Sequence, residues 1–235
     1  MKVSAIIPAA GSGQRFGEAK QYKNLAGRSI LFHALAPFVS CKKINEIVIV
    51  VPESDIEYVK EKVLLISASK SIRVVAGGAL RQDSVKNGIE VLNQDSELVC
   101  IHDAVRPFVT EELIEKSILQ CNKYDGSVLG VRVMDTIKIV RKKLITSTIN
   151  RDAVWLAQTP QTFHKKKLVN ALENAEKQCL VGTDESALME LIGCKISIVP
   201  GHINNFKITT KDDFRRAELT LDLIQEDLKG DNNAV

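Results

Sequence analysis

Residues 46–52 read EIVIVVP. From Ile47 to Val51 every residue is β-branched and apolar, and no polar residue interrupts them. A strand with one wet face alternates apolar and polar side chains. A run without alternation belongs to a strand covered on both faces, as parallel strands are. Moving outward, KVSAIIP (2–8), SIRVVAG (71–77), ELVCIHD (97–103), SVLGVRV (127–133) and CKISIVP (194–200) read as further strands. Helical stretches separate them: about Ser29 to Val39, 53–66 with Ser54 and Asp55 near its start, and 80–92. Another runs from a Thr110 cap to about Asn122, with Glu111 and Glu112 at its positive end. Three more follow at about 164–177, at 184–192 ended by Gly193, and at about 211–227. Strands alternating with helices predict α/β architecture: right-handed βαβ units wound into a mostly parallel sheet.

Composition narrows the class. The 235 residues suit a single domain, 1–235, and 45% hydrophobic with 26% charged residues is the balance of an ordered globular chain. Lys plus Arg is 32 against 29 Asp plus Glu, a net +3, which is too even for a general nucleic-acid binder. An anionic ligand must therefore meet locally placed cations. The five cysteines are scattered without a C-x-x-C, so neither a zinc site nor a disulfide framework is expected. With no apolar run near the ~20 residues of a membrane span and no signal-peptide layout at the start, the cytoplasm is the expected location. Lys229 to Val235 reads as a loose polar tail.

The alternation breaks after Val133. Residues 135–151, DTIKIVRKKLITSTINR, hold two β-branched runs around Arg141-Lys142-Lys143. This is a hairpin, not a βα unit. It predicts a projecting β-arm at about 134–153, either a dimerisation arm or a surface hairpin packed on its own domain.

Three segments carry chemistry. In IIPAAGSGQRFG (6–17), Gly11 and Gly13 let main-chain N–H groups face a ligand, while Arg15 and Lys20 add cations that suit a triphosphate. The segment is neither a Walker loop nor G-x-G-x-x-G, because Gly17 comes one residue late. In GGALRQDSVKNG (77–88), Gly77 and Gly78 permit close approach, and Gln82 and Ser84 offer base-edge hydrogen bonds; a plain strand-to-helix turn with capping residues reads equally well. In HDAVRPF (102–108), at a strand's carboxyl end, Asp103 suits Mg²⁺ or a sugar hydroxyl and Arg106 an anion, or the two pair to shape the loop. His102 reads as structural. Arg151 and Thr159 lie in NRDAVWLAQTPQTF (150–163), which closes the arm. Thr183-Asp184-Glu185 opens a helix, either as a phosphate site or as a simple cap, and Lys207 lies in NNFKITT (204–210).

Taken in order, AAGSGQRFG, KQY, GGALRQDSV, HDAVRPF, DT, W-x-A-Q-T-P-Q-x-F, TDES and NFKIT resemble the 2-C-methyl-D-erythritol 4-phosphate cytidylyltransferases of the non-mevalonate isoprenoid pathway, from Val3 to about Ala217. The resemblance implies a nucleotidyltransferase-type fold and a homodimer joined by the arm. CTP and a polyol phosphate would be the substrates, with Mg²⁺ as cofactor. It implies that Ala9, Ala10, Gly11 and Gly13 line the nucleotide, with Gly78, Ala79, Ser84 and Ala104 around base and ribose. Arg15 and Lys20 would stabilise the transition state, and Asp103, also the metal ligand, and Arg106 would face the substrate junction. Thr136 and Arg151 would reach in from the arm, and Thr159, Thr183 and Lys207 would complete the sugar-phosphate pocket. Three positions depart from the family pattern: Ala79 stands where many members carry an acid, Ala19 where proline is common, and Asn204 where an aspartate is usual. The rival readings are a ribitol 5-phosphate cytidylyltransferase, a sugar-1-phosphate nucleotidyltransferase and a non-catalytic CTP-binding regulator.

Overall fold

The structure, a computed structural model, describes residues 1–11, 16–66 and 70–232. Its strands are β1 (Val3–Pro8), β2 (Asn24–Leu25), β3 (Arg28–Ser29), β4 (Ile44–Val51), β5 (Ser71–Ala76), β6 (Leu98–Ile101), β7 (Gly126–Arg132), β8 (Ile137–Arg141), β9 (Leu144–Ile149), β10 (Trp155–His164) and β11 (Ile196–Pro200). The helices are α1 (Ile30–Ser40), α2 (Ile56–Leu64), α3 (Arg81–Glu90), α4 (Glu111–Gln120), α5 (Lys165–Lys177), α6 (Glu185–Leu191) and α7 (Lys211–Asn232). Seven strands form the central sheet in the order β11-β7-β10-β6-β1-β4-β5. β1 runs parallel to both β4 and β6, β5 parallel to β4, and β11 parallel to β7.

The run at 46–52 behaves as its pattern requires. Ile47, Ile49 and Val51 enter one core with Leu35 and Phe38 of α1, Val59 of α2 and Ile114 of α4. Val48 and Val50 enter the opposite core with Val85 and Ile89 of α3, Leu168 of α5 and Met189 of α6. Each such side chain contributes about 1.5–3 kcal/mol by leaving water, so a strand wet on one face would forfeit half of β4's contribution. The Thr110 cap is also present: its hydroxyl accepts from Leu113 N at 3.3 Å.

Two elements differ from the sequence reading. Residues 150–163 read as the closure of the arm, yet Trp155–His164 form β10, antiparallel to both β6 and β7. Buried glutamines and threonines hide this strand, because their polar atoms find partners inside. Gln158 Nε2 donates to His202 O at 2.9 Å, and Gln161 Nε2 donates to Asp184 Oδ2 at 2.7 Å. Pro160, ordinarily a sign against a central strand, falls where the register with β7 shifts. The last helix also runs to Asn232, past the expected end near 227 and into the expected loose tail. Asp213 Oδ2 accepts from Thr209 N and Thr210 N at 2.9 and 2.8 Å, and Phe214 and Ala217 anchor the helix in a third core with Phe16 and Ile208. From an anchored start each further residue propagates the helix without a new nucleation cost, which carries it past 227 although Gly230, Asp231 and Asn232 are weak helix formers.

The hairpin exists as β8 and β9, which bond only to each other. Lys142 and Lys143 turn it with φ of 48° and 68°. All six residues of β9 are exposed, so the ribbon is not packed on its own domain. Among the described residues, no helix is long and apolar enough to cross a membrane.

Candidate active site

A cleft of about 350 Å³ opens at the carboxyl ends of β1, β5 and β6. β1 continues to β4 on one side of itself, and the chain later returns as β6 on the other. The two loops leaving β1 and β6 therefore diverge, which is where open α/β sheets bind ligands.

One wall is Ala9, Ala10 and Gly11. Ala9 N donates to Val50 O at 2.7 Å. The buried Gln21 pins the loop from below, its Nε2 donating to the carbonyls of Ala9 (2.9 Å) and Gly11 (3.3 Å). Lys20, beside it on the short helical turn Lys20–Tyr22, is 8% exposed and lines the cleft. Gly13 and Arg15 lie outside the described residues.

The facing wall carries Gly78, Ala79 and Ser84. A side-chain carbon at Gly77 would collide with Ala10 Cβ and with Ser84 Oγ, so this glycine lets the two walls meet. Ser84 Oγ accepts from Gly78 N at 3.2 Å and donates to Leu80 O at 3.1 Å, so its hydroxyl shapes the loop as well as lining the cleft. Gln82 is not among the lining residues; its Oε1 accepts from Gly182 N at 3.2 Å.

The floor is Asp103 and Ala104, with Lys207 reaching in. Asp103 is buried among cations. Its Oδ1 accepts from Arg81 Nε and Nη2 at 3.3 and 3.2 Å, its Oδ2 from Lys207 Nζ at 2.9 Å, and Arg106 Nε stands 3.5 Å from Oδ2. Burial alone would raise the Asp103 pKa, but Arg81, Lys207 and Arg106 outweigh it and hold the carboxyl well below the usual range. For Arg81, burial favours the neutral form, and Glu185 and Asp103 reverse that, so it stays charged.

Hydrogen bonds fix the backbone at Asp103. Asp103 N donates to Thr159 Oγ1 at 3.0 Å, and the same hydroxyl lies 3.0 Å from His102 Nδ1. His102 Nε2 lies 3.0 Å from Arg106 O, and a carbonyl only accepts, so Nε2 carries the proton. Burial pushes the His102 pKa down to about 4, so the ring is neutral and Nδ1 accepts from Thr159. The chain from Asp103 N–H through Thr159 to His102 and Arg106 O is thus complete and directional. His102 is structural, as its sequence context implies.

Several expected site residues stand elsewhere. Thr159 lies behind the cleft, with its hydroxyl engaged as donor and acceptor. Arg106 does not line the cleft either; its Nη1 donates to Asn205 O at 2.9 Å and, with the Asp103 pairing, it braces the loop. Thr183 is exposed outside the lining, and its neighbour Asp184 is a simple cap, accepting from Ala187 N at 3.0 Å. Thr136 and Arg151 are exposed at the root of the arm, where Arg151 Nη1 donates to Met134 O. Two residues that sequence reasoning missed belong to the site: Arg81, which lines the cleft, and the buried Glu185 paired to it. Both stand inside quoted motifs, but as helix-start residues they read as capping.

Asp103 does not fit as a Mg²⁺ ligand. Both oxygens already face cations, and a dication there would sit against three like charges. Among the described residues, no group of three His, Cys, Asp or Glu side chains could hold a metal.

Comparison with known proteins agrees with this geometry. Residues 3–223 match the IspD family model, 2-C-methyl-D-erythritol 4-phosphate cytidylyltransferase. A protein of that name from Syntrophus aciditrophicus is 41% identical over 224 residues, covering 94% of this chain and 96% of the relative. The crystal structure of 4-diphosphocytidyl-2C-methyl-D-erythritol synthase from Anaerococcus prevotii superposes with a TM-score of 0.83 at 35% identity, covering 94% of this chain and 98% of that one. The Francisella tularensis 2-C-methyl-D-erythritol 4-phosphate cytidylyltransferase gives 0.79 at 32% identity, covering 93% and 99%. With the cleft at the β1–β6 divergence and full-length similarity in sequence and fold, the chain belongs to the 2-C-methyl-D-erythritol 4-phosphate cytidylyltransferase family.

Proposed function

We propose that this chain joins CTP and 2-C-methyl-D-erythritol 4-phosphate into CDP-methylerythritol, releasing pyrophosphate. The observation that carries the reading is the carboxyl-edge cleft, where Lys20 and the Asp103-bound Lys207 stand with the Ala9–Gly11 loop. A phosphate oxygen of the sugar phosphate attacks the α-phosphorus in line with the leaving pyrophosphate; one P–O bond forms and one breaks. The nucleophile has a second pKa of about 6 and is mostly dianionic near neutrality, so no general base is needed. The only imidazole beside the cleft floor among the described residues, His102, has both nitrogens engaged. The obstacle is repulsion between polyanions, and catalysis rests on position and charge.

In this reading Lys20 and Arg15 neutralise charge at the α-phosphorus and pyrophosphate, and Lys207 holds the attacking phosphate. Arg106 and Thr159 act on substrate only through the Asp103 loop they brace. Mg²⁺ enters with the triphosphate as part of the substrate, in keeping with its preference for phosphate and water oxygens. Arg151 and Thr136 belong to a second copy's site, brought there by the arm in a homodimer. Exposed Met134, Val140, Leu144 and Ile145 support this, because a two-stranded ribbon with bare apolar side chains lacks a covering surface. Five free cysteines agree with the reducing cytoplasm as its location.

The test is pyrophosphate release with CTP and Mg²⁺, supplying methylerythritol 4-phosphate and ribitol 5-phosphate in parallel. Release with the first alone is expected. Release with the second alone moves the assignment to ribitol phosphate, and silence with both, despite CTP binding, favours a regulator.

A further inference from the structure

Arg81 opens α3 and Glu185 opens α6, 104 residues further along. Arg81 Nη1 donates to the two Glu185 oxygens at 2.6 and 2.7 Å, while Nε and Nη2 donate to Asp103 Oδ1 at 3.3 and 3.2 Å. One guanidinium therefore spans two carboxylates, which a planar fork can do and a point charge cannot. The Glu185 side chain is 2% exposed, and its only ion-pair partner among the described residues is Arg81. A buried acid without such a partner would be strongly disfavoured. Asp103 is in turn divided: Oδ1 faces Arg81 and Oδ2 faces Lys207 at 2.9 Å.

The division of roles follows from charge. Arg81 lines the cleft among residues expected to surround the nucleotide, and facing it alone it would be a phosphate binder. Glu185 takes up that charge from behind and makes Arg81 a fixed post. We infer that Arg81, held by Glu185, is a positioning residue: it turns Asp103 so that its second oxygen aims Lys207 at the attacking phosphate. This rests on the reaction proposed above. It assigns Arg81 to the sugar-phosphate side of the chemistry, although it stands on the nucleotide wall.

Two conservative variants test it. Arg81→Lys keeps the charge but loses the fork. Glu185→Gln keeps the shape and an acceptor but frees Arg81 to draw Asp103 away from Lys207. Steady-state kinetics, run well below each variant's melting temperature, should show kcat/KM for the sugar phosphate down about tenfold or more in Arg81→Lys, with KM for CTP within about threefold. Glu185→Gln should shift the same constants in the same direction. A loss carried by KM for CTP would make Arg81 a direct nucleotide contact and overturn the inference. So would unchanged kinetics with only a lower melting temperature, the mark of a structural strut. Silence of the unsubstituted protein with this substrate pair would overturn the reaction itself, and the inference with it; an active parent with unaltered variants overturns the inference alone.

Discussion

Thr159→Val removes one hydroxyl and keeps the side chain's shape. The structure gives that hydroxyl two tasks at 3.0 Å each: accepting from Asp103 N and donating to His102 Nδ1. Thr159, His102 and Asp103 are all buried, so water does not replace the lost partner. Each orphaned buried group costs about 1–3 kcal/mol, and two of them predict a loss of roughly 2–6 kcal/mol. Thr159→Ser, which keeps the hydroxyl and loses one methyl, should stay within about 1 kcal/mol of the parent. Urea unfolding followed by circular dichroism reads both. The midpoint should drop with the slope unchanged, so that the difference is one of stability. Serine should also keep most of the activity, because it retains the hydroxyl that holds Asp103 N and His102 Nδ1. A valine variant within about 1 kcal/mol of the parent would refute the directional chain through His102.

Stability should fall as pH falls through the weakly acid range. Burial holds His102 neutral down to about 4 from an ordinary 6.5, so on acidification the unfolded chain takes up the proton first. Stability from this group is complete above 6.5 and is lost, by roughly 3 kcal/mol, as pH falls to about 4. Half-buried His33 is shifted the same way, so His102→Asn should remove much of the slope between these pH values but not all of it; an unchanged slope in urea titrations would exclude His102 as its source. On the arm, the proposed homodimer predicts that Leu144→Glu with Ile145→Glu lowers the mass in light scattering from that of two chains to that of one while CTP binding persists. A mass unaltered by the pair of charges would remove the arm from assembly.

Legibility in the sequence followed the range of the interactions. The six apolar runs became strands because their signal is local: each residue reports its own burial, and the neighbours on the sheet need not be known. β10 was illegible for the opposite reason. Gln158 and Gln161 are buried only because His202 and Asp184 wait for them, and neither partner can be inferred from the run itself. The site divides in the same way. Gly11, Gly78, Ser84 and Asp103 were legible because they stand in loops at strand ends, where this fold class gathers its ligands, and the family resemblance added Ala9, Ala10, Ala79 and Ala104; all eight line the cleft. Arg81 and Glu185 were not, since their meaning lies in a pairing across 104 residues. Arg106 read as an anion holder or as Asp103's partner and Thr159 as a pocket residue; the hydrogen bonds that each makes to the loops around Asp103 depend on partners distant in sequence and could not be read from their motifs.

The contact at Gly77 bears on how this cleft can change. Ala10 and Ser84 already crowd the space where a side chain at 77 would begin. Gly77 is thus closed to any side chain unless the Ala10 or the Ser84 side of the cleft retreats. The glycine therefore sets the spacing of the β1 and β5 loops: a larger residue at 77 requires the two to separate. Widening the cleft through position 77 is thus a change in two loops at once, one of them 67 residues away in the chain.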